Sequence, residues 1–223
     1  MATNQTCRGE RPFAPTAKYH RRSIRLKGYD YSQAGAYFIT ICVKDRKYLL
    51  GEVVNGEIIL SCIGKIVEKC WVEIPKHFPH VQLDQYVIMP NHIHGIIEIL
   101  GNCVGVENFQ PLQRTNRYQK VIPKSLGSFV RGFKVGVAKW CRQNQYKHFV
   151  WQRNYYEHII RSEDELNSIR EYILSNPLQW QFDRENAGRI PDKAYDNQWG
   201  CLEETIYGKA EKTITVKLLP LHL

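Results

Sequence analysis

Two apolar runs meet at Pro90-Asn91, in the stretch Tyr86-Val87-Ile88-Met89-Pro90-Asn91-His92-Ile93-His94-Gly95-Ile96-Ile97-Glu98-Ile99-Leu100. Proline offers no N–H and fixes its own φ, so it cannot sit inside a central strand. The stretch therefore reads as a strand, a tight break and a second strand. Residues two apart in a strand share a face, so His92 and His94 point the same way, with Ile96 and Glu98. Ile93, Ile97 and Ile99 take the opposite face, where they can be buried. Two neutral imidazoles on one rigid strand supply two ligands to a divalent cation once a third group arrives from elsewhere. Taken alone, His-x-His is more simply a polar strand face.

A chain of 223 residues, 43% of them hydrophobic, can bury a good core as one domain with extensions, or at most two small ones. No apolar run approaches the roughly 18 residues that cross a bilayer. The leading residues Met1 to Arg8 lack the apolar core of a secretory signal. The expectation is a soluble, cytoplasmic protein without a membrane partner, associated with the nucleoid. Seven cysteines are scattered without a close pair, which suits free, mostly buried thiols and excludes a cysteine metal site. Net charge is +9, and it is segregated. Residues 110 to 156 hold ten basic side chains and no acidic one, and residues 1–28 hold seven basic side chains against Glu10. Segregation of this kind favours a polyanion, because each neutralised phosphate releases counterions.

Residues 1–28 lack periodicity and read as a basic arm. Ala36 to Val43 is β-branched and aromatic, a central strand. Leu49–Val54 and Glu57–Leu60 flank Asn55-Gly56, a strong hairpin signal. Ile63, Ile66, Val67, Cys70, Trp71 and Ile74 recur at helical intervals over residues 62 to 76. Residues 101–123 read as a basic loop insertion. Leu126, Phe129, Val130, Phe133, Val137, Trp140 and Cys141 mark a helix over about 125 to 143, with Arg131, Lys134, Lys139 and Arg142 off its apolar stripe. Phe149 to Arg161 reads as a strand with an irregular middle. Ser162 and Glu165 form a capping box for a helix that Pro177 stops after Asn176. The order is that of an α+β, ferredoxin-like split βαβ domain: one antiparallel sheet, two helices on one face, and the third helix free to cover the face of His92 and His94. The domain is expected over 29–182, and residues 183–223 read as an aperiodic C-terminal extension.

On the third helix, Leu166, Ile169 and Ile173 define the buried stripe, with Tyr172 and Asn176 at its edge, four apart. A phenol, with a pKa near 10, attacks poorly unless a metal or base assists, yet an aryl phosphodiester conserves the energy of a broken backbone bond. A cation held by His92 and His94, with Asn176 as a third ligand, can orient a phosphate toward Tyr172. Wheel geometry alone does not separate Tyr172 from Tyr155 or Tyr156, and it leaves the cation only as divalent.

Three ordered motifs sharpen this. Met89-Pro90-Asn91-His92-Ile93-His94, then Trp151-Gln152-Arg153-Asn154-Tyr155-Tyr156-Glu157-His158-Ile159-Ile160-Arg161, then Glu171-Tyr172-Ile173-Leu174-Ser175-Asn176-Pro177 together resemble the REP-associated tyrosine transposases, a branch of the single-tyrosine HUH transposases of bacterial insertion sequences. The likeness spans about residues 20 to 182. It implies a ferredoxin-like nuclease that cuts single-stranded DNA near hairpins and forms a 5′-phosphotyrosine. Carried over, His92 and His94 are the HUH histidines, Tyr172 is the nucleophile, and Asn176 is the third ligand to Mg²⁺ or Mn²⁺. Insertion-sequence relatives often carry Gln at that last position and act as dimers, whereas the REP-associated branch is linked to monomers; a monomer and a homodimer both remain open.

For DNA contact the expected residues are Arg21, Arg22, Arg25, Lys124, Arg131, Lys134, Lys139 and Arg142 on phosphates, and Trp151, Tyr155 and Tyr156 stacked on unpaired bases, with Arg153 on a base or a phosphate. Glu157 and His158 are expected as supporting partners behind the metal ligands. Two other readings compete: a non-catalytic module that binds nucleic acid on a ferredoxin-like sheet, and a phosphoesterase that uses water in place of tyrosine.

Overall fold

The computed structural model describes residues 29–101 and 122–207; Arg21, Arg22, Arg25 and most of the 101–123 insertion lie outside the described residues. Strand β1 (Gly35–Cys42) is followed by a hairpin of β2 (Gly51–Val54) and β3 (Glu57–Leu60), then helices α1 (Cys62–Val72) and α2 (Ile74–His77). Strands β4 (Val81–Ile88) and β5 (His92–Ile99), helix α3 (Leu126–Gln143), strand β6 (Tyr156–Ile160) and helices α4 (Glu163–Ser175) and α5 (Lys193–Tyr207) complete the order. β4, β5, β1 and β6 form one four-stranded sheet in that order, and every pairing in it is antiparallel.

The alternation along the strands separates two cores. Tyr37, Ile39 and Ile41 of β1 and Ile93, Ile97 and Ile99 of β5 pack under α1 and α3, with Trp71, Phe129 and Phe133. Gly95 sits opposite Trp71 because a Cβ there would lie 2.3 Å from the indole. Phe38 and Ile96 face the other way, under Leu166, Ile169, Tyr172 and Ile173 of α4 and Tyr195, Trp199 and Ile206 of α5. The register of β4 shifts between Leu83 and Tyr86. The irregularity leaves both of those side chains on the α1/α3 core, and intervening Asp84 accepts from Arg170 of α4 at 2.6 Å. The kink thus ties α4 to the sheet edge.

Several sequence readings meet their structure at the expected residues. Asn55 and Gly56 both take positive φ, 52° and 80°, as a two-residue hairpin turn of this hand requires. Ser125 and Ser162 cap α3 and α4. Glu165 departs from the usual box: its carboxylate accepts from the N–H of Arg161, one residue before the cap, and bonds His158 Nε2 at 2.8 Å. The helix expected over 62–76 is two helices, because Pro75 falls in the first turn of α2 and cannot donate back into α1. The expected strand from Phe149 is extended only from Tyr156, with one isolated bridge between Trp151 and Val43. Among the described cysteines all are free, but Cys62 and Cys201 are exposed while Cys42 and Cys141 are buried.

Residues 183–207 are more than an extension. They add a helix that the sequence reading left out, and α5 covers the same face of the sheet as α4. Its spacing was legible: Tyr195, Trp199, Leu202 and Ile206 recur every three or four residues, and Asp192 caps the start by accepting from the Tyr195 N–H at 2.8 Å.

Candidate active site

His92 and His94 open β5 opposite Cys42 and Thr40 of β1. The turn before them is held from three sides: Met89 N–H donates to His92 O, Leu50 N–H to Pro90 O, and Val43 N–H to Asn91 O, at 2.8 to 2.9 Å. The imidazoles converge so that His92 Nε2 lies 2.9 Å from His94 Nε2. Asp183 brings Oδ2 to 3.9 Å from His94 Nε2, and the three residues offer ligand atoms within 4.8 Å of one another. Each ring is held from behind, by Asn91 Oδ1 at 2.7 Å from His92 Nδ1 and by Thr40 Oγ1 at 2.8 Å from His94 Nδ1.

The cluster is dry. His92 and His94 are fully buried and Asp183 is 1% exposed. Burial, and then the neighbouring His94, push the His92 pKa down to about 3, so its ring is neutral and free to act as a ligand. Burial alone would raise the Asp183 carboxyl, but the nearby imidazoles, His94 foremost, and the N–H of Glu185 hold it below the ordinary carboxylate range. Asp183 Oδ2 and Asn176 Oδ1 are buried without a hydrogen-bond partner. Orphaned acceptors of this kind are costly unless a cation or donor meets them. Two imidazole nitrogens and a carboxylate oxygen make a mixed nitrogen and oxygen donor set of the kind Mn²⁺ or Mg²⁺ accepts, so His92, His94 and Asp183 fit a divalent ion.

Tyr172 stands on the same face. Its ring centre is 5.5 Å from that of His94 and 5.5 Å from that of Trp199, with Phe38 at 6.4 Å. Its hydroxyl donates to Glu203 Oε1 at 3.3 Å, and Tyr195 donates to the same oxygen at 2.8 Å. Burial raises the Glu203 carboxyl above its usual range. Tyr172 is 1% exposed and Asn176 3%. The α5 helix roofs the phenol, and Trp180 lies beside His92 with ring centres 6.0 Å apart.

The supporting roles expected for Glu157 and His158 do not appear. Glu157 pairs with Ile39, which places it on the α1/α3 face, away from the imidazoles. His158 pairs with Phe38 and so shares their face, but its Nε2 is engaged by Glu165 at the start of α4. Thr40 and Asn91 hold the two rings instead. Asp183, the carboxylate nearest them, is a lone Asp in an aperiodic stretch, with no spacing to mark it.

Of the expected DNA contacts, Arg131, Lys139, Arg142 and Arg153 are exposed, as is Lys124, which has a φ of 59°. Arg131, Arg142 and Arg153, with Lys147 and half-buried Tyr155, line a groove of about 520 Å³. A second groove of about 760 Å³ shares Trp151 and Arg153 with it and reaches Lys44 and Arg46. Lys134 is occupied otherwise, donating to Gln152 O at 2.8 Å and Asn154 O at 2.9 Å, and burial lowers its pKa to about 8. Trp151 is a core residue, packed between Phe133 and Phe149. Tyr156 pairs with Thr40 and is half-buried on the imidazole face.

Similar proteins bear on this arrangement. An uncharacterized protein of Haemophilus influenzae is 50% identical over 168 residues, 74% of this chain and 93% of its own length, and the two belong to one family. A second protein of Haemophilus influenzae, designated a candidate REP-associated tyrosine transposase, is 24% identical over 151 residues, 67% of this chain and 74% of its own. The chain is a relative of the REP-associated tyrosine transposases. Among solved structures, a REP-associated tyrosine transposase bound to a REP hairpin aligns with a TM-score of 0.49 at 17% identity, over 72% of this chain and 76% of that one. A candidate transposase of Deinococcus radiodurans aligns with a TM-score of 0.33 at 17% identity, over 67% of this chain and 94% of that one. No protein-family profile matches this relative of the tyrosine transposases. None of its described helices is long and apolar enough to cross a membrane.

Proposed function

We propose that the protein is a metal-dependent single-stranded DNA endonuclease and strand transferase that cuts at or near hairpins through a 5′-phosphotyrosine on Tyr172, on a sheet of ferredoxin-like order. The observation that carries this is the meeting of two remote segments: the Tyr172 ring lies 5.5 Å from His94, beside the His92, His94 and Asp183 cluster. Kinship with the REP-associated tyrosine transposases supports it.

His92, His94 and Asp183 would hold the ion, with Asn176 Oδ1 as a further oxygen ligand. When bound, Mg²⁺ or Mn²⁺ supplies Lewis-acid polarisation of the scissile phosphate. In the reaction, Tyr172 Oη forms a bond to phosphorus, the P–O3′ bond breaks, and the phenol proton is balanced by the proton gained at the leaving 3′ oxygen. Glu203 holds the phenol and its proton in the closed arrangement. Since Tyr172, both imidazoles and Asp183 are all at most 1% exposed, a phosphate gains access only when the cover of α5 and the Trp180–Phe182 turn shifts. The exposed arginines and lysines along the two grooves would track the backbone of the DNA.

The test is covalent capture. Incubation with a labelled hairpin oligonucleotide and Mn²⁺ or Mg²⁺ is expected to yield a protein–DNA adduct that survives denaturant, is lost with EDTA and is absent in Tyr172→Phe. Adduct formation by Tyr172→Phe would move the nucleophile elsewhere. The closed site favours one competing reading, a module that binds nucleic acid without cutting it; salt-sensitive binding untouched by EDTA, with no adduct and no cleavage, would support that reading instead.

A further inference from the structure

One fully buried carboxamide lies at the junction of the two segments that supply the metal ligands. Asn91, in the turn between β4 and β5, is 0% exposed. Its Nδ2 donates to Glu185 O at 2.8 Å and to Arg46 O at 3.2 Å. Carbonyl oxygens accept only, so these two contacts fix which end of the amide is nitrogen. The oxygen is then the end that lies 2.7 Å from His92 Nδ1, and that ring nitrogen must carry the hydrogen. With Nδ1 protonated, the neutral His92 ring presents a bare lone pair at Nε2, the atom that faces His94.

The other end of the same amide orders Asp183. Glu185, whose carbonyl Asn91 grips, donates its own N–H to Asp183 Oδ1 at 2.6 Å. That bond occupies one carboxylate oxygen and leaves Oδ2, without a hydrogen-bond partner, on the side of His94. Arg46 Nη2 meets Glu185 Oε2 at 3.1 Å and closes the loop around the amide. A single side chain therefore sets the tautomer of one ligand and the orientation of another, although Asn91 and Asp183 lie 92 positions apart in the chain (183 − 91).

We infer that Asn91 is the positioning residue of the metal centre, aligning His92 through its oxygen and Asp183 through its nitrogen. The inference rests on the metal reading above. Partners behind metal ligands typically change metal affinity about 10–100-fold when removed. Thr40 holds His94 in a like manner, and Asn91, whose one amide meets both His92 and the Glu185 carbonyl, is the more informative residue to change.

The experiment is a titration of the full-length, metal-free protein with Mn²⁺ alone, followed by calorimetry, with the His92 tautomer read from long-range ¹H–¹⁵N spectra before metal is added. In wild type, His92 is expected as the Nδ1–H tautomer. Asn91→Leu, close in shape but unable to hydrogen-bond, is expected to bind Mn²⁺ about 10–100-fold more weakly and to show a mixture of His92 tautomers, with a circular dichroism spectrum like that of wild type. Asn91→Asp keeps the acceptor for Nδ1 and loses the donor; it is expected to keep the tautomer and still bind Mn²⁺ more weakly, through Asp183. That variant decides the matter should Asn91→Leu fail to fold. Wild-type affinity in Asn91→Asp, or wild-type affinity with an unchanged tautomer in Asn91→Leu, would overturn the inference and leave the metal reading standing. Failure of the wild type itself to bind Mn²⁺ would overturn both.

Discussion

The two faces of the sheet are built on different principles. Under α1 and α3 the contacts are almost wholly apolar: Trp71, Phe129, Phe133 and the odd-numbered residues of β1 interlock, and Gly95 is small because the indole needs its space. Under α4 and α5 the same strands present His92, His94 and Thr40 on the face of Tyr172 and Asp183, with Glu203 behind the phenol. That second face buries acceptors that have no donor, which costs stability and is a reason to look there for chemistry. The difference teaches that burial by itself does not mark a core: both faces are buried, yet one is packed mainly from aromatic and branched apolar side chains and the other gathers two imidazoles, carboxylates and a phenol.

Substitutions can sharpen the contrast. The largest stability effect belongs to the apolar face, where Trp71→Ala is expected to cost about 3–5 kcal/mol. Tyr172→Phe, equally deep on the other face, removes one hydrogen bond to Glu203 and should cost only about 1 kcal/mol. Urea unfolding of both variants measures the pair, and equal losses would erase the distinction between the faces. A smaller effect is acid sensitivity in metal-free buffer. The fold keeps His92 neutral down to about pH 3, whereas the unfolded chain protonates it near 6.5. Between those values the unfolded state binds the extra proton, so stability contributed by the neutral ring is present above 6.5 and falls as pH is lowered, by up to about 1.4 kcal/mol per pH unit. In His92→Leu the fall between pH 7 and pH 5 should be shallower than in wild type; an unchanged slope would show that the ring is not held neutral. The smallest effects lie outside both faces, in the grooves. Arg131→Ala and Arg153→Ala should each reduce the slope of log affinity for DNA against log salt by about 1. Lys134→Ala should instead lower stability with little change in that slope, because its ammonium already serves two backbone carbonyls.

How far the sequence could be read depended on how local each feature was. The Asn55-Gly56 hairpin, the Ser162 cap, the two-residue alternation that turns His92 and His94 together, and the apolar stripe of α3 all follow from neighbours in the chain. Each was visible because backbone sterics and the strand and helix repeats act within a few residues. Tyr172 and Asn176 were expected at the edge of the α4 stripe by the same logic, but Tyr172 lies buried under α5 and Asn176 is the buried residue that ends the helix; the three ordered motifs pointed to a tyrosine transposase relative. Glu157 was misplaced behind the ligands because a strand's period fixes alternation and not which face is which; only pairing with Ile39 assigns it to the α1/α3 side. The helix α5 was missed although its spacing was present, since Asn197, Gln198 and Gly200 dilute the stripe around Trp199.

By itself, then, the sequence determined most of the strands and helices of the sheet and its two main layers, the shared direction of the two imidazoles, and the basic character of the chain, since these rest on short-range periodicity and on composition. Only the tertiary structure decided that Asp183 comes to His94, that Asn91 grips Glu185, that Lys134 is occupied by carbonyls, and that α5 roofs the phenol. Those contacts join segments tens of residues apart. Their partners are chosen by how the helices settle on the sheet once its two faces are buried, and no local pattern encodes that choice.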